Sequence, residues 1–236
     1  MTNDTKPIQY LLTIRQQPSL SMVIVSSPRE RRSIEPCPII EMKIIRPDGT
    51  ELNIMDMDED YLLSAHLYDK GGKKMNKPIK ALVHANGDQQ SANSNETTLR
   101  APLAGSTVSS LHRVKGLDNE QMSIFYFPDL KVWIAGQFYL HFQLFYLPKK
   151  DTPHSLPTEC VASVVSNEFT VFPVKEFPGV YESTPLTKHL KAQGLIISIR
   201  NKDRLKASKE DSGTAVESEH SDDPPVSESP PFESRS

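Results

Sequence analysis

Two cysteines, Cys37 and Cys160, are all that the 236 residues contain. A structural zinc site usually draws four Cys or His ligands at short paired spacings, so these two do not build one alone, and a disulfide would need both proximity and an oxidising compartment. Glycine is sparse as well, ten residues against nineteen prolines, and no glycines gather into a loop that could cradle phosphate. G-x-S-x-G, H-E-x-x-H and C-x-x-C are all missing. The seven histidines, His66, His84, His112, His141, His154, His189 and His220, stand singly. His66, His84 and His141 fall on different expected strands, an arrangement too general in β proteins to mark a metal centre. These absences leave no enzyme, cofactor or metal to assign. No apolar run approaches the roughly 18 residues that span a bilayer, and the start Met-Thr-Asn-Asp-Thr-Lys lacks the apolar stretch of a signal peptide. The expectation is a soluble intracellular protein with no membrane partner.

Charge of one sign is concentrated in one segment. Residues 205–236 carry three basic residues, Lys206, Lys209 and Arg235, against eight acidic ones, a net of -5. Taking these from the totals of 27 and 30 leaves 24 basic and 22 acidic residues, a net of +2, for residues 1–204. The same segment holds eight serines and four prolines with few large apolar groups, so it cannot bury enough surface to offset the entropy of ordering and reads as a disordered acidic tail. The domain reading is therefore a folded unit at 1–204 and a tail at 205–236.

What the folded part does have is period-two hydrophobicity. Phe138, Leu140, Phe142, Leu144 and Tyr146 share one face of a strand over 137–147, with Gln137, Tyr139, His141 and Gln143 opposite. Runs at 8–15 and 40–44 alternate in the same way, and further short runs lie at 61–68, 79–84, 105–114, 122–127, 160–172 and 195–200. Pro47-Asp48-Gly49 and Pro128-Asp129 supply turns, and the polar stretch 85–98 reads as a loop with no element of its own. Many short strands separated by turns predict a mainly β antiparallel sandwich or barrel. One helix is expected, capped by Ser183 or Thr184, with Pro185 at its first position and Gly194 just past its end. Leu186 and Leu190 should dock it on the sheet, with His189 as a packed structural histidine. Trp133 reads as a core residue, with an exposed place on a dimer face as the other reading.

The segment Pro28-Arg29-Glu30-Arg31-Arg32-Ser33-Ile34-Glu35-Pro36-Cys37-Pro38 packs three arginines into four residues ahead of a proline-stiffened run. Guanidinium groups on such a loop can bond phosphate oxygens or base edges in pairs. The plainer reading is a solvated loop whose arginines pair with Glu30, Glu35 or a neighbouring acid. A second basic stretch, Arg200, Lys202, Arg204, Lys206 and Lys209, reads either as a nuclear import signal or as the solvated end of the last strand.

Several blocks together resemble one family. Tyr10-Leu11-Leu12-Thr13-Ile14-Arg15-Gln16-Gln17-Pro18 and then Arg31-Arg32-Ser33-Ile34-Glu35-Pro36-Cys37-Pro38-Ile39-Ile40 resemble the N-terminal signature of the velvet domain of fungal regulators. Gly105-Ser106-Thr107-Val108-Ser109-Ser110 resembles its Gly-x-x-Val-Ser-Ser segment, and Phe127-Pro128-Asp129-Leu130 its Phe-x-Asp-Leu. Phe177-Pro178-Gly179, Ser183-Thr184-Pro185-Leu186 and Gln193-Gly194 follow the family order of turn, helix start and helix end.

The resemblance implies an immunoglobulin-like (Rel-homology-like) antiparallel β-sandwich with one or a few short helices. It implies a transcriptional regulator of development, sporulation and secondary metabolism, located in the nucleus and also in the cytoplasm. It further implies homo- or heterodimers with other velvet-family proteins and binding to double-stranded DNA, without a cofactor. Carried over by position, Arg29, Arg31 and Arg32 are the expected phosphate or base contacts, with Arg15 on the adjoining strand. The chain departs from the pattern where Leu20-Ser21-Met22-Val23-Ile24 replaces Ala-Arg-x-x-Gly, and where Trp133 and Tyr139 stand at positions usually held by arginine. Each lost cation removes a counterion-release contribution, so the alternative is a dimerisation or scaffold subunit that does not contact DNA.

Overall fold

Alternation of period two becomes a pair of facing sheets in the computed structural model, which describes residues 7–24, 32–52, 60–84, 95–147 and 159–200. Fourteen strands and one α-helix lie within those residues. One sheet has the order β1-β3-β10-β9, formed by β1 (Gln9–Gln16), β3 (Ile39–Ile45), β10 (Gln121–Tyr126) and β9 (His112–Lys115). The larger sheet runs β2-β14-β12-β4-β8, with β2 (Leu20–Met22), β14 (Phe169–Phe172), β12 (Gly136–Leu147), β4 (Asp60–Asp69) and β8 (Val108–Ser110). Strand β13 (Cys160–Val165) also pairs β12, beside β14. The pairings are antiparallel except β14 with β2. Two small ribbons complete the set: β5 (Ile79–His84) with β6 (Asn95–Arg100), and β7 (Leu103–Ala104) with β11 (Lys131–Val132).

The main core fills the space between the sheets. Ile40, Met42, Ile44 and Phe125 from the smaller sheet meet Tyr61, Leu63, Leu67, Phe138, Leu140, Phe142 and Leu144 from the larger. At about 25 cal/mol for each Å² of apolar surface removed from water, this layer drives the assembly, and the hydrogen-bonded ladders satisfy the backbone it buries. A second apolar cluster lies on the far side of the smaller sheet. There Cys37, Ile39, Val114, Met122 and Ile124 are covered by Leu190 of α1 (Pro185–Ala192) and by Leu195 and Ile197.

The helix forms as its sequence dictates. Thr184 Oγ1 accepts the Thr187 N–H at 3.1 Å, Pro185 takes the first turn, and Gly194 adopts φ +98° beyond the last turn. Gln193 then clasps the edge of β9: its amide accepts from the Lys115 N–H at 2.8 Å and donates to the Lys115 carbonyl at 2.7 Å. His189 lies 3.0 Å from that same carbonyl, the structural role expected for it.

Five local expectations need correction. Trp133 is only partly buried, because its neighbour Val132 takes the core position with no exposure at all. The polar stretch expected as a loop contains the first residues of β6, which pairs with β5 from Asn95 onward. The run 105–114 divides into β8 and β9, which sit in different sheets. The run 160–172 divides at Ser166, whose N–H and Oγ bond the backbone of Leu140 where β12 changes partner from β13 to β14. The run 195–200 shows the alternation of a strand, with Leu195 and Ile197 buried and Ile196 81% exposed, but lies on the sheet's outer face beside the helix and joins no ladder among the described residues. Residues 201–236, with the tail and its start at 205, lie outside the described residues.

Candidate nucleic-acid interface

The foot of the arginine-rich loop is fixed by backbone bonds. The Glu35 carbonyl accepts from the Ser19 and Leu20 N–H groups, each at 2.9 Å, and the Glu35 N–H donates to the Leu20 carbonyl at 2.8 Å. Ile34 is buried and donates to Leu130, which closes the loop foot onto the core. Of the expected contact residues, Arg29 and Arg31 lie outside the described residues. Arg32 stands at the first described position after them, partly buried, with its carbonyl 3.3 Å from Ser21 Oγ.

Gln16 ties this foot to the helix. Its Nε2 donates to the Cys37 carbonyl at 2.7 Å and to Thr187 Oγ1 at 2.9 Å, and its Oε1 accepts from Thr184. The neighbouring Gln17 accepts the Asn167 N–H at 2.9 Å. Burial pushes the Cys37 thiol up to about 11, so it stands here as a packed, protonated group.

A cleft of about 570 Å³ opens between the loop foot, the Pro18–Ser19 corner and the chain around α1. Glu35 and Arg200 line it and form an ion pair, both side chains mostly buried. Burial raises the Glu35 carboxyl above its ordinary range, against the opposing pull of Arg200 and, more weakly, of Arg32. Arg200 is held through its backbone, its N–H donating to Ser183 Oγ at 2.9 Å and its carbonyl accepting from the Ser183 N–H at 3.1 Å. Arg15 projects from the outer face of β1, where its guanidinium lies 3.5 Å from the buried carboxylate of Glu41. No contact joins it to Arg32 among the described residues. The sequence pointed to the arginine-rich loop but not to Glu35 and Arg200 as a pair, because 165 positions separate them and only the fold brings them together.

The outer face of the larger sheet is different in kind. The outer face of β12 and β4 carries Tyr139 stacked on Tyr68, ring centroids 5.5 Å apart, and His141 against the edge of Tyr68. His66 pairs in register with His141. Burial lowers both histidines, with Lys74 adding repulsion, so both are neutral at physiological pH. Around them Val108 and Val165 are each half exposed and Val161 is exposed as well, which leaves an aromatic and aliphatic sheet face uncovered.

A family described as Velvet factor matches residues 10–100 and 75–204. A sexual development regulator of Mycosarcoma maydis is 33% identical over 207 residues, 87% of this chain and 48% of that protein. A spore development regulator of Ajellomyces capsulatus is 34% identical over 197 residues, 83% of this chain and 44% of that protein. A protein of Chaetomium globosum named as a component of the velvet complex is 30% identical over 202 residues, 85% of this chain and 40% of its own length. The chain thus spans less than half the length of these curated relatives.

Proposed function

Because the chain belongs to the velvet factor family, we propose that it is a DNA-binding transcriptional regulator of development, sporulation and secondary metabolism, acting in the nucleus as a homo- or heterodimer with other velvet proteins. The observation that carries this reading is Arg32, presented at a rigid loop foot beside a polar cleft, directly after Arg29 and Arg31 in sequence. Arginines in this setting position a protein on the phosphate backbone, and base-edge contacts then add selectivity. The net charge of +2 over residues 1–204 supplies no broad basic field, so affinity rests on a few placed cations.

The test is titration of labelled duplex at several salt concentrations, with the protein alone and with a velvet partner. Real phosphate contacts give a steep loss of affinity with salt, and Arg31→Ala and Arg32→Ala each make the slope shallower by about one. Absence of salt-sensitive binding in both settings would sink the reading.

A second reading, a dimerisation or scaffold subunit that leaves DNA to its partner, is favoured by two observations. Arg15 and Arg200 already face carboxylates, and the outer face of the larger sheet offers an uncovered apolar surface. Under this reading dimers form as before, but the arginine substitutions leave the behaviour on DNA unchanged.

A further inference from the structure

Arg200 lies where the loop foot meets the C-terminal end of the described chain. Its backbone is pinned to Ser183 at both bonding groups, and Glu35 is pinned to Leu20 on the other side of the contact. Neither residue can leave by a backbone swing, so a change of partner falls to the side chains. Around the ion pair the cleft presents uncharged hydrogen-bonding groups: Gln17, Ser19, Ser33, Asn167, Tyr181 and Ser198. Together with arginine, these are the side-chain types that hold nucleic-acid phosphates. Two other carboxylates on the wall are matched elsewhere, Glu168 with Lys70 at 3.8 Å and Glu182 with Lys188 at 2.5 Å. Glu35 is the acid that occupies the guanidinium.

We propose that Arg200 is a phosphate-binding residue of the nucleic-acid surface, and that Glu35 is its internal substitute for phosphate, occupying the guanidinium until a duplex replaces it. The inference rests on the DNA-binding reading above and adds a residue and a mode of control to it. The exchange is physically accessible. Burial outweighs the attraction of both arginines at Glu35, so the carboxylate gains little net stability from its position. A phosphate diester can accept the guanidinium fork at two oxygens, and Glu35 would keep the Arg32 charge nearby after the exchange.

The two partners therefore act on DNA in opposite directions, which a purely structural ion pair would not do. With the full chain, and a velvet partner where binding needs one, a labelled mixed-sequence duplex is titrated against salt. Glu35→Gln is expected to bind several-fold more tightly, because the competitor is gone. Arg200→Gln is expected to bind roughly five- to tenfold more weakly near about 0.1 M salt, with a slope shallower by about one. Arg200→Lys keeps the charge but loses the fork, so it should retain the slope while losing part of the affinity. Should Glu35→Gln fail to fold, Glu35→Asp, which draws the carboxylate back by one methylene, is expected to shift affinity the same way. The proposal is overturned if the Glu35 variants weaken binding as Arg200→Gln does, in step with falling melting temperature. It is equally overturned if Arg200→Gln leaves affinity and slope unchanged while Arg31→Ala and Arg32→Ala reduce both. Those two results spare the DNA-binding reading, whereas no salt-dependent binding by the unmodified protein, alone or with a partner, removes the reading and this inference together.

Discussion

Gln16 sits where strand, loop foot and helix meet, and its amide uses both ends. It bonds the Cys37 carbonyl and the hydroxyls of Thr184 and Thr187 within a buried setting. Replacing it with leucine leaves the Cys37 carbonyl without its side-chain donor and two hydroxyls without their amide, a cost of about 1–3 kcal/mol. The expected outcome of Gln16→Leu is a lower midpoint in urea at unchanged m-value, and an unchanged midpoint would contradict the role given to this network. Gly105 shows the same dependence on one atom. With φ at +94°, a Cβ there would stand 2.3 Å from the Asp129 carbonyl oxygen, while Asp129 Oδ1 accepts the Ser106 N–H. The Gly105 and Asp129 blocks that suggested the family are thus two halves of one contact. Residue types were legible in the sequence at this scale, whereas partners were not: nothing in the order of residues joins Arg15 to Glu41 or Glu35 to Arg200.

The helix was the most legible element, because its signals are local chemistry. A threonine cap, a proline in the first turn and a glycine past the end act within a few residues of one another, and all three take the expected places. Strands revealed by alternation were found equally well at β1, β3 and β12, where one face turns toward the core. Alternation reports burial and not pairing, which is why 195–200 imitates a strand while lying outside any ladder. The helix's stability depends on docking, since eight residues are too few to hold a helix in water. Thr184→Ala is expected to cost about 1 kcal/mol and Leu190→Ala about 2–5 kcal/mol. Thermal unfolding of the two variants checks the order; Thr184→Ala proving the more damaging would mean that capping, not packing, holds α1.

At the scale of the whole molecule two surfaces differ in kind, a polar cleft lined by Arg200 and the aromatic outer face of the larger sheet. Under the proposed function the cleft would meet nucleic acid and the sheet face a second velvet domain. Val165 is half exposed in the sheet face and in register with His141. Val165→Asp places a charge in the proposed dimer surface at little cost to the monomer fold, about 1 kcal/mol or less. Light scattering after size exclusion should show the protein, or its mixture with a velvet partner, shifting to the monomer mass while melting remains close to that of the unmodified protein. Persistence of the dimer would place the interface elsewhere.

The clasp of Gln193 on Lys115 bears on how such a partner can approach. Strand β9 is a border of its sheet, and an open border invites another chain to add a strand. At Lys115 the amide of Gln193 already supplies the donor and the acceptor that an incoming strand would bring. This border is stoppered from within at Lys115, so growth by strand addition is blocked at this point of β9.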